Sequence, residues 1–90
     1  MQFEWDPEKS RTNLSKHNIS FEEATTVFMD DFSLTGEDPD HSLDEDRYVT
    51  FGLSSHGRLL VVAYTERGEW IRVISARSVT RSERRLYEEG

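Results

Sequence analysis

The chain has 90 residues, no cysteine and a net charge of −7, from 11 Lys and Arg against 18 Asp and Glu. That length implies a single hydrophobic core and one domain over residues 1–90, and the missing cysteines exclude a disulfide framework or a thiolate zinc site. Two Trp, three Tyr and five Phe give a lean composition enough bulk to fold, while the longest apolar run, Leu59–Tyr64, is far short of the roughly twenty residues a membrane helix needs.

The opening MQFEWDPEK has no signal-peptide pattern, so a cytoplasmic location without membrane contact is expected. Phe3 and Trp5 alternate with polar neighbours, the period of a short strand with one aromatic face turned inward. Asp6-Pro7 ends it: Asp is a favoured N-cap and Pro suits the first helical position, so a helix over 7–17 is predicted, with Leu14 as its anchor and Asn18 as a left-handed stop. Ser20-Phe21-Glu22-Glu23 reads as a capping box. With Ile19, Ala24, Val27 and Phe28 at helical spacing, it predicts a second helix over 21–29, closed by Asp30-Asp31.

Phe32 and Leu34 suggest a short strand before the acidic segment GEDPDHSLDED, read as a loop. Three strand-like runs follow, 47–54, 58–66 and 70–76. The turns at His56-Gly57 and Arg67-Gly68 between them are short enough to force an antiparallel meander. Thr80-Arg81-Ser82-Glu83 is another capping box, opening a last helix to about Glu89 with Leu86 as its apolar contact. The order strand, two helices, three to four strands and a C-terminal helix is an α+β arrangement, with helices packed on one sheet face and the other face open to a ligand or partner.

The charges are segregated. Residues 1–46 carry only Lys9, Arg11 and Lys16 against thirteen acidic residues, whereas 47–85 carry eight arginines against Glu66, Glu69 and Glu83. Arg58, Arg67, Arg72 and Arg77 all belong to the meander. Strict alternation groups Arg72 with Trp70 and Ile74, and Arg77 with Ile71 and Val73 on the other face, although alternation can fail where the strand ends. Converging guanidinium groups can hold phosphate oxygens and stabilise a pentacoordinate phosphorus; the same groups can equally form surface ion pairs with the abundant carboxylates. Trp5 and Phe51 read as core, and Trp70 as either core or a stacking surface.

General acid or base candidates are His17, His41, His56, Glu45, Glu66 and Glu83, with Tyr64 and Tyr87 behind them. His17 also suits a cationic C-terminal helix cap, and Glu83 serves the capping box. His41 among Asp38, Asp40 and Asp44 lacks the spacing of a calcium loop or a helical His pair, so no metal site is expected, and no nucleotide-binding or common hydrolase motif is present.

FEWDPEK, KHNISFEEA, DPDHSLDEDR, GRLLVVAYTERGEWIRVISAR and TRSERRLYEE together resemble the BrnT toxin family over nearly the whole chain. The resemblance implies a RelE-like fold and a ribonuclease toxin that cuts RNA and blocks translation without metal or other cofactor. It further implies a ribbon-helix-helix antitoxin of the BrnA type, through which alone operator DNA would be contacted, and which would cover the arginine-bearing face. Matching positions are Arg47, Arg58, Thr65, Arg67, Arg72, Arg77, Glu83 and Tyr87. In this scheme Arg67 and Arg77 hold the scissile phosphate, Arg58, Arg72, Arg47 and Trp70 bind RNA, and Glu66 or His17 acts as base. The family usually has Gly at Asn18 and a second basic residue at Ser78; the latter change removes a phosphate contact. A toxin fold that only binds antitoxin and acts as co-repressor is the alternative.

Overall fold

The computed structural model describes residues 1–38 and 46–90. Helix α1 spans Pro7–His17: Asp6 accepts a hydrogen bond from the Glu8 N–H, and Asn18 closes the helix in the left-handed conformation at φ 58°. Helix α2 (Phe21–Thr26) begins at Ser20, whose hydroxyl accepts from the Glu23 N–H, and it tightens into a 3₁₀ turn over Val27–Met29. Only half of the expected capping box forms at Ser20. The Glu23 side chain turns inward instead of back to Ser20, and is 4% exposed.

Among the described residues, five strands make one sheet: β1 (Gln2–Glu4), β2 (Leu34–Glu37), β3 (Tyr48–Leu53), β4 (Leu59–Arg67) and β5 (Trp70–Ser78), in the order β1-β5-β4-β3-β2. The meander β2 to β5 is antiparallel, with Gly57 and Gly68 in its turns at φ 76° and 62°, a region that glycine enters without the cost a Cβ brings. β1 pairs parallel to β5. Such pairing needs a long crossover, which here is nearly the whole chain.

One sheet face carries Leu60, Val62, Val73 and Ala76, packed against Ile19, Phe21, Ala24 and Val27, with Phe3, Trp5 and Phe28 around them. Each large side chain fully buried there contributes about 1.5–3 kcal/mol. Trp5 meets Phe21 edge-on at 5.8 Å, in line with its expected core role. Gly52 is required for this packing, because a Cβ there would lie 2.7 Å from Val27 Cγ1.

α1 does not use Leu14 as its anchor: that side chain is 49% exposed, and the buried residue is Asn13. Consecutive helix positions are rotated by about 100°, so burying Asn13 turns Leu14 away. The Asn13 Oδ1 accepts from the Ala76 N–H at 3.0 Å, and Nδ2 donates to the carbonyls of Ala76 at 2.9 Å and Ile19 at 3.0 Å. Beyond the end of β1, one amide thus takes the place of a strand on the outer edge of β5.

Helix α3 (Arg81–Glu89) has the full Thr80–Glu83 capping box. Leu86, expected as its contact, is 57% exposed; the link is Tyr87, whose hydroxyl donates to Asp30 at 2.6 Å. α1 and α2 take the core face of the sheet as read. α3 lies over one end of the opposite face, where the row Leu34, Phe51, Val61, Arg77 runs across four strands: Glu83 meets Arg77, and Gly90 lies beside the Leu34 side chain.

Candidate nucleic-acid interface

The face opposite the main core is set by the register of β4 with β5. Leu60 to Ala63 pair with Ser78 to Ser75 in step, but Tyr64 pairs with Val73, so Ile74 is an extra residue on β5. A bulge of this kind reverses the alternation beyond it. Arg72, paired with Thr65, and Arg77, paired with Val61, therefore point to the same face instead of opposite ones, and Arg67 and Trp70 join them as a mutual pair. Strict alternation had divided Arg72 from Arg77; one inserted residue unites them.

The arginines form a track and not a cluster. Thr65 lies two residues from Arg67 and four from Val61, so Arg67 and Arg77 stand roughly 20 Å apart along the hairpin. That separation does not suit a shared scissile phosphate, whereas a strand of several nucleotides spans it. Trp70, 43% exposed, lies at the turn end of the track. Arg47 directly precedes β3 at the same end, and its carbonyl accepts from the Asp38 N–H at 2.9 Å. Thr65 is 2% exposed, and its hydroxyl has no hydrogen-bond partner among the described residues.

Carboxylates occupy Arg77 and Arg72. Arg77 donates to Glu83 in a bidentate fork, Nη1 to Oε1 at 2.8 Å and Nη2 to Oε2 at 2.9 Å. Arg72 Nη1 is 3.5 Å from Glu4 Oε2. Hydrogen bonding to Arg77, aided by the Thr80 N–H and opposed by burial, holds the Glu83 carboxyl down to about 2. An acid that strong makes a weak base at neutral pH, so Glu83 is a positioning group for Arg77.

This pair has a pH signature. The folded-state value lies below the ordinary 4.5, so the pair stabilises the fold above that pH and the gain is lost as pH falls towards 2. With Arg77 half-exposed and screened by solvent, about 1–2 kcal/mol is at stake. Urea unfolding at pH 5 and pH 2.5 should show wild type losing that much more stability than Glu83→Gln; an equal loss in both proteins would remove the pair from the account.

The remaining predicted residues are elsewhere. Arg58 lies on the helix side, where Nε donates to Glu23 Oε2 at 2.9 Å, Nη2 donates to the Asn18 carbonyl at 3.0 Å and also bonds Glu23 Oε1. Ser54 Oγ donates to Glu23 Oε2 at 2.7 Å, and His56 Nδ1 is 3.3 Å from Oε1. Arg58 therefore anchors a buried carboxylate, at the opposite end of β4 from Arg67. Glu66 pairs with Ile71 and faces away from Arg67, in a depression with Asp46 and Tyr48. His17 lines a groove between α1 and β5 with Lys9, Lys16, Ile74 and Ser75. His41 and Glu45, with Asp40 and Asp44, lie outside the described residues. Among the described residues no three acidic or His side chains form a metal-binding group, and no helix is long and apolar enough to cross a membrane.

Sequence reasoning missed Asn13, the bulge at Ile74 and the role of Glu23. Glu23 alone had a visible signal, as an acidic residue within an otherwise apolar helical stripe, but the capping motif explained it away.

Residues 5–83 match the family model described as "Ribonuclease toxin, BrnT, of type II toxin-antitoxin system". No curated protein matches the sequence. Among solved structures, the chain is similar to that of the Brucella abortus ribonuclease toxin, BrnT, determined at 1.1 Å resolution: 25% of residues are identical, the TM-score is 0.66, and the likeness covers 90% of this chain and 99% of that one.

Proposed function

This chain belongs to the BrnT family of ribonuclease toxins of type II toxin–antitoxin systems, and on that premise we propose that it is an endoribonuclease that arrests translation in the cytoplasm and binds RNA along its bulge-aligned arginine face. The observation that carries this reading is the alignment itself: Arg67, Arg72, Arg77 and Trp70 share one face of a chain whose net charge is −7. Phosphate contacts supply affinity and an exposed aromatic supplies stacking.

The proposed chemistry needs no metal or cofactor. A base takes the proton of a ribose 2′-hydroxyl, the oxygen attacks the adjacent phosphorus, the 5′-oxygen leaves with a proton, and a 2′,3′-cyclic phosphate remains. Arginine hydrogen bonds stabilise the charge on the phosphorane. Arg72, between Arg67 and Arg77 on the track, and Arg77, fixed by Glu83, are the proposed phosphate ligands, with Arg67, Arg47 and Trp70 extending the contact. Glu66 and His17 are the candidate bases, and single substitutions separate them: the base is the residue whose change to Gln, His17→Gln or Glu66→Gln, abolishes cleavage while RNA binding is kept.

Expression of the chain alone should arrest growth, and coexpression of its antitoxin, proposed to be a ribbon-helix-helix protein of the BrnA type that also brings the toxin to operator DNA, should restore it. Normal growth with soluble protein would contradict the toxin reading. That outcome would favour the antitoxin-binding co-repressor, which the carboxylates already on Arg72 and Arg77 support as a second reading. In filter binding, Arg72→Ala should lower the salt slope of RNA affinity by about 1; an unchanged slope would place the RNA elsewhere.

A further inference from the structure

At the end of the sheet remote from Arg67 and Trp70, where α3 lies, the surface carries an apolar patch that neither the core nor the proposed RNA track uses. Met29 is 79% exposed, Phe32 76% and Leu53 43%. A large aromatic so open to water in so small a fold has no role in stability, and clustered apolar exposure marks interaction surfaces.

The patch is built and not accidental. Asp30 lies at its centre: Oδ1 accepts from the Phe32 N–H at 3.0 Å, while Oδ2 accepts from the Leu53 N–H at 2.8 Å and from the Tyr87 hydroxyl at 2.6 Å. One carboxylate thus fixes three segments, the 3₁₀ turn, the end of β3 and α3, and sets their apolar side chains around it. Burial opposes its charge, but the Tyr87 hydroxyl and the two N–H groups outweigh that and hold Asp30 below the usual carboxylate range. Two shallow depressions flank it, one lined by Thr26, Met29, Leu53 and Ser55, the other by Asp31, Phe32, Leu34, Tyr87 and Glu88.

Charge selects the occupant. On the Phe32 side the rim is Asp31 and Glu88, and only beyond Leu53 does the surface turn basic, at Arg58 and Arg84. A second copy of this chain would bring another −7 charge against the first. We propose that this patch is a docking site for a basic amphipathic segment of the antitoxin, whose apolar residues cover Met29, Phe32 and Leu53 while its lysines or arginines meet Asp31 and Glu88. The proposal rests on the toxin–antitoxin reading and adds an anchor beside α3, distinct from the arginines themselves. Held there, the antitoxin lies against α3, whose first turn carries Glu83 and so the Arg77 fork.

The test is the affinity of the purified chain for the antitoxin produced from its own operon, measured by calorimetry. Wild type should bind. The triple change Met29→Ser, Phe32→Ser and Leu53→Ser should weaken binding roughly 30-fold or more, with unchanged circular dichroism because all three side chains are exposed. Asp31→Lys with Glu88→Lys should weaken it several-fold and flatten its salt dependence, and provides a second readout should the triple variant misfold. Tight binding by wild type and undiminished binding by both variants would overturn the patch while leaving the partner reading intact. No binding by wild type would overturn both. Concentration-dependent self-association of wild type that the triple change abolishes would replace the antitoxin by a second copy.

Discussion

Replacing Arg58 with Ala is expected to lower the unfolding free energy by about 3 kcal/mol, the lower end of the cost of stranding a buried charge. Glu23 is 4% exposed, and among the described residues it keeps, without Arg58, the Ser54 hydroxyl and, when protonated, His56. Urea unfolding at pH 7 measures the loss. Glu23→Gln in the same background should recover part of it, because a neutral amide tolerates burial without a cation. The pH dependence has a fixed sign. The Arg58 hydrogen bonds, against burial, hold Glu23 below its ordinary 4.5, so the pair stabilises the fold above that pH, and the cost of Arg58→Ala shrinks as pH falls through the lowered value. A loss under about 1 kcal/mol at pH 7 would mean that the pair behaves like an ordinary surface bridge, and Arg58 would be available to RNA after all.

Asn13→Leu should be comparably damaging, by about 3 kcal/mol, although leucine has similar bulk and better helix propensity. It strands three backbone groups at once: the N–H and carbonyl of Ala76 and the carbonyl of Ile19. Asn13→Asp refines the test. A carboxylate can still accept from Ala76 but faces two carbonyls, so this variant should be weakest at neutral pH and gain relative stability in acid, where a protonated carboxyl donates once. Thermal unfolding from pH 4 to pH 8 reads the trend. A pH-independent difference from wild type would show that Asn13 acts by shape and not by its amide.

These residues mark where the sequence stopped being legible. Helix starts at Asp6-Pro7, Ser20 and Thr80, the stop at Asn18 and the turns at Gly57 and Gly68 were readable because each is local chemistry, a side chain or a φ angle serving backbone two or three residues away. The β3–β5 meander followed from the turns at Gly57 and Gly68. Asn13 was not readable, because its partners are 63 and 6 positions away and nothing near it distinguishes a buried amide from a solvated one. Glu23 was assigned to Ser20 for the same reason: the motif describes the near partner and ignores Arg58, 35 positions on. The bulge had the largest consequence for the site. Strand alternation is a parity rule, and one extra residue at Ile74 inverts it for everything beyond, which moved Arg72 and Arg77 from opposite faces to one. The arginines were singled out in the sequence as candidates; their placement on one face depended on a register that only the paired strand sets.

The most direct test of that geometry is a map of new RNA 5′ ends after induction of the chain alone in a permissive bacterium, compared with Arg72→Ala/Arg77→Ala and with Arg58→Lys. New ends with growth arrest in wild type and in Arg58→Lys, both lost in the soluble double variant, are the expected result. New ends that persist in the double variant would contradict the claim that the bulge-aligned face cuts RNA.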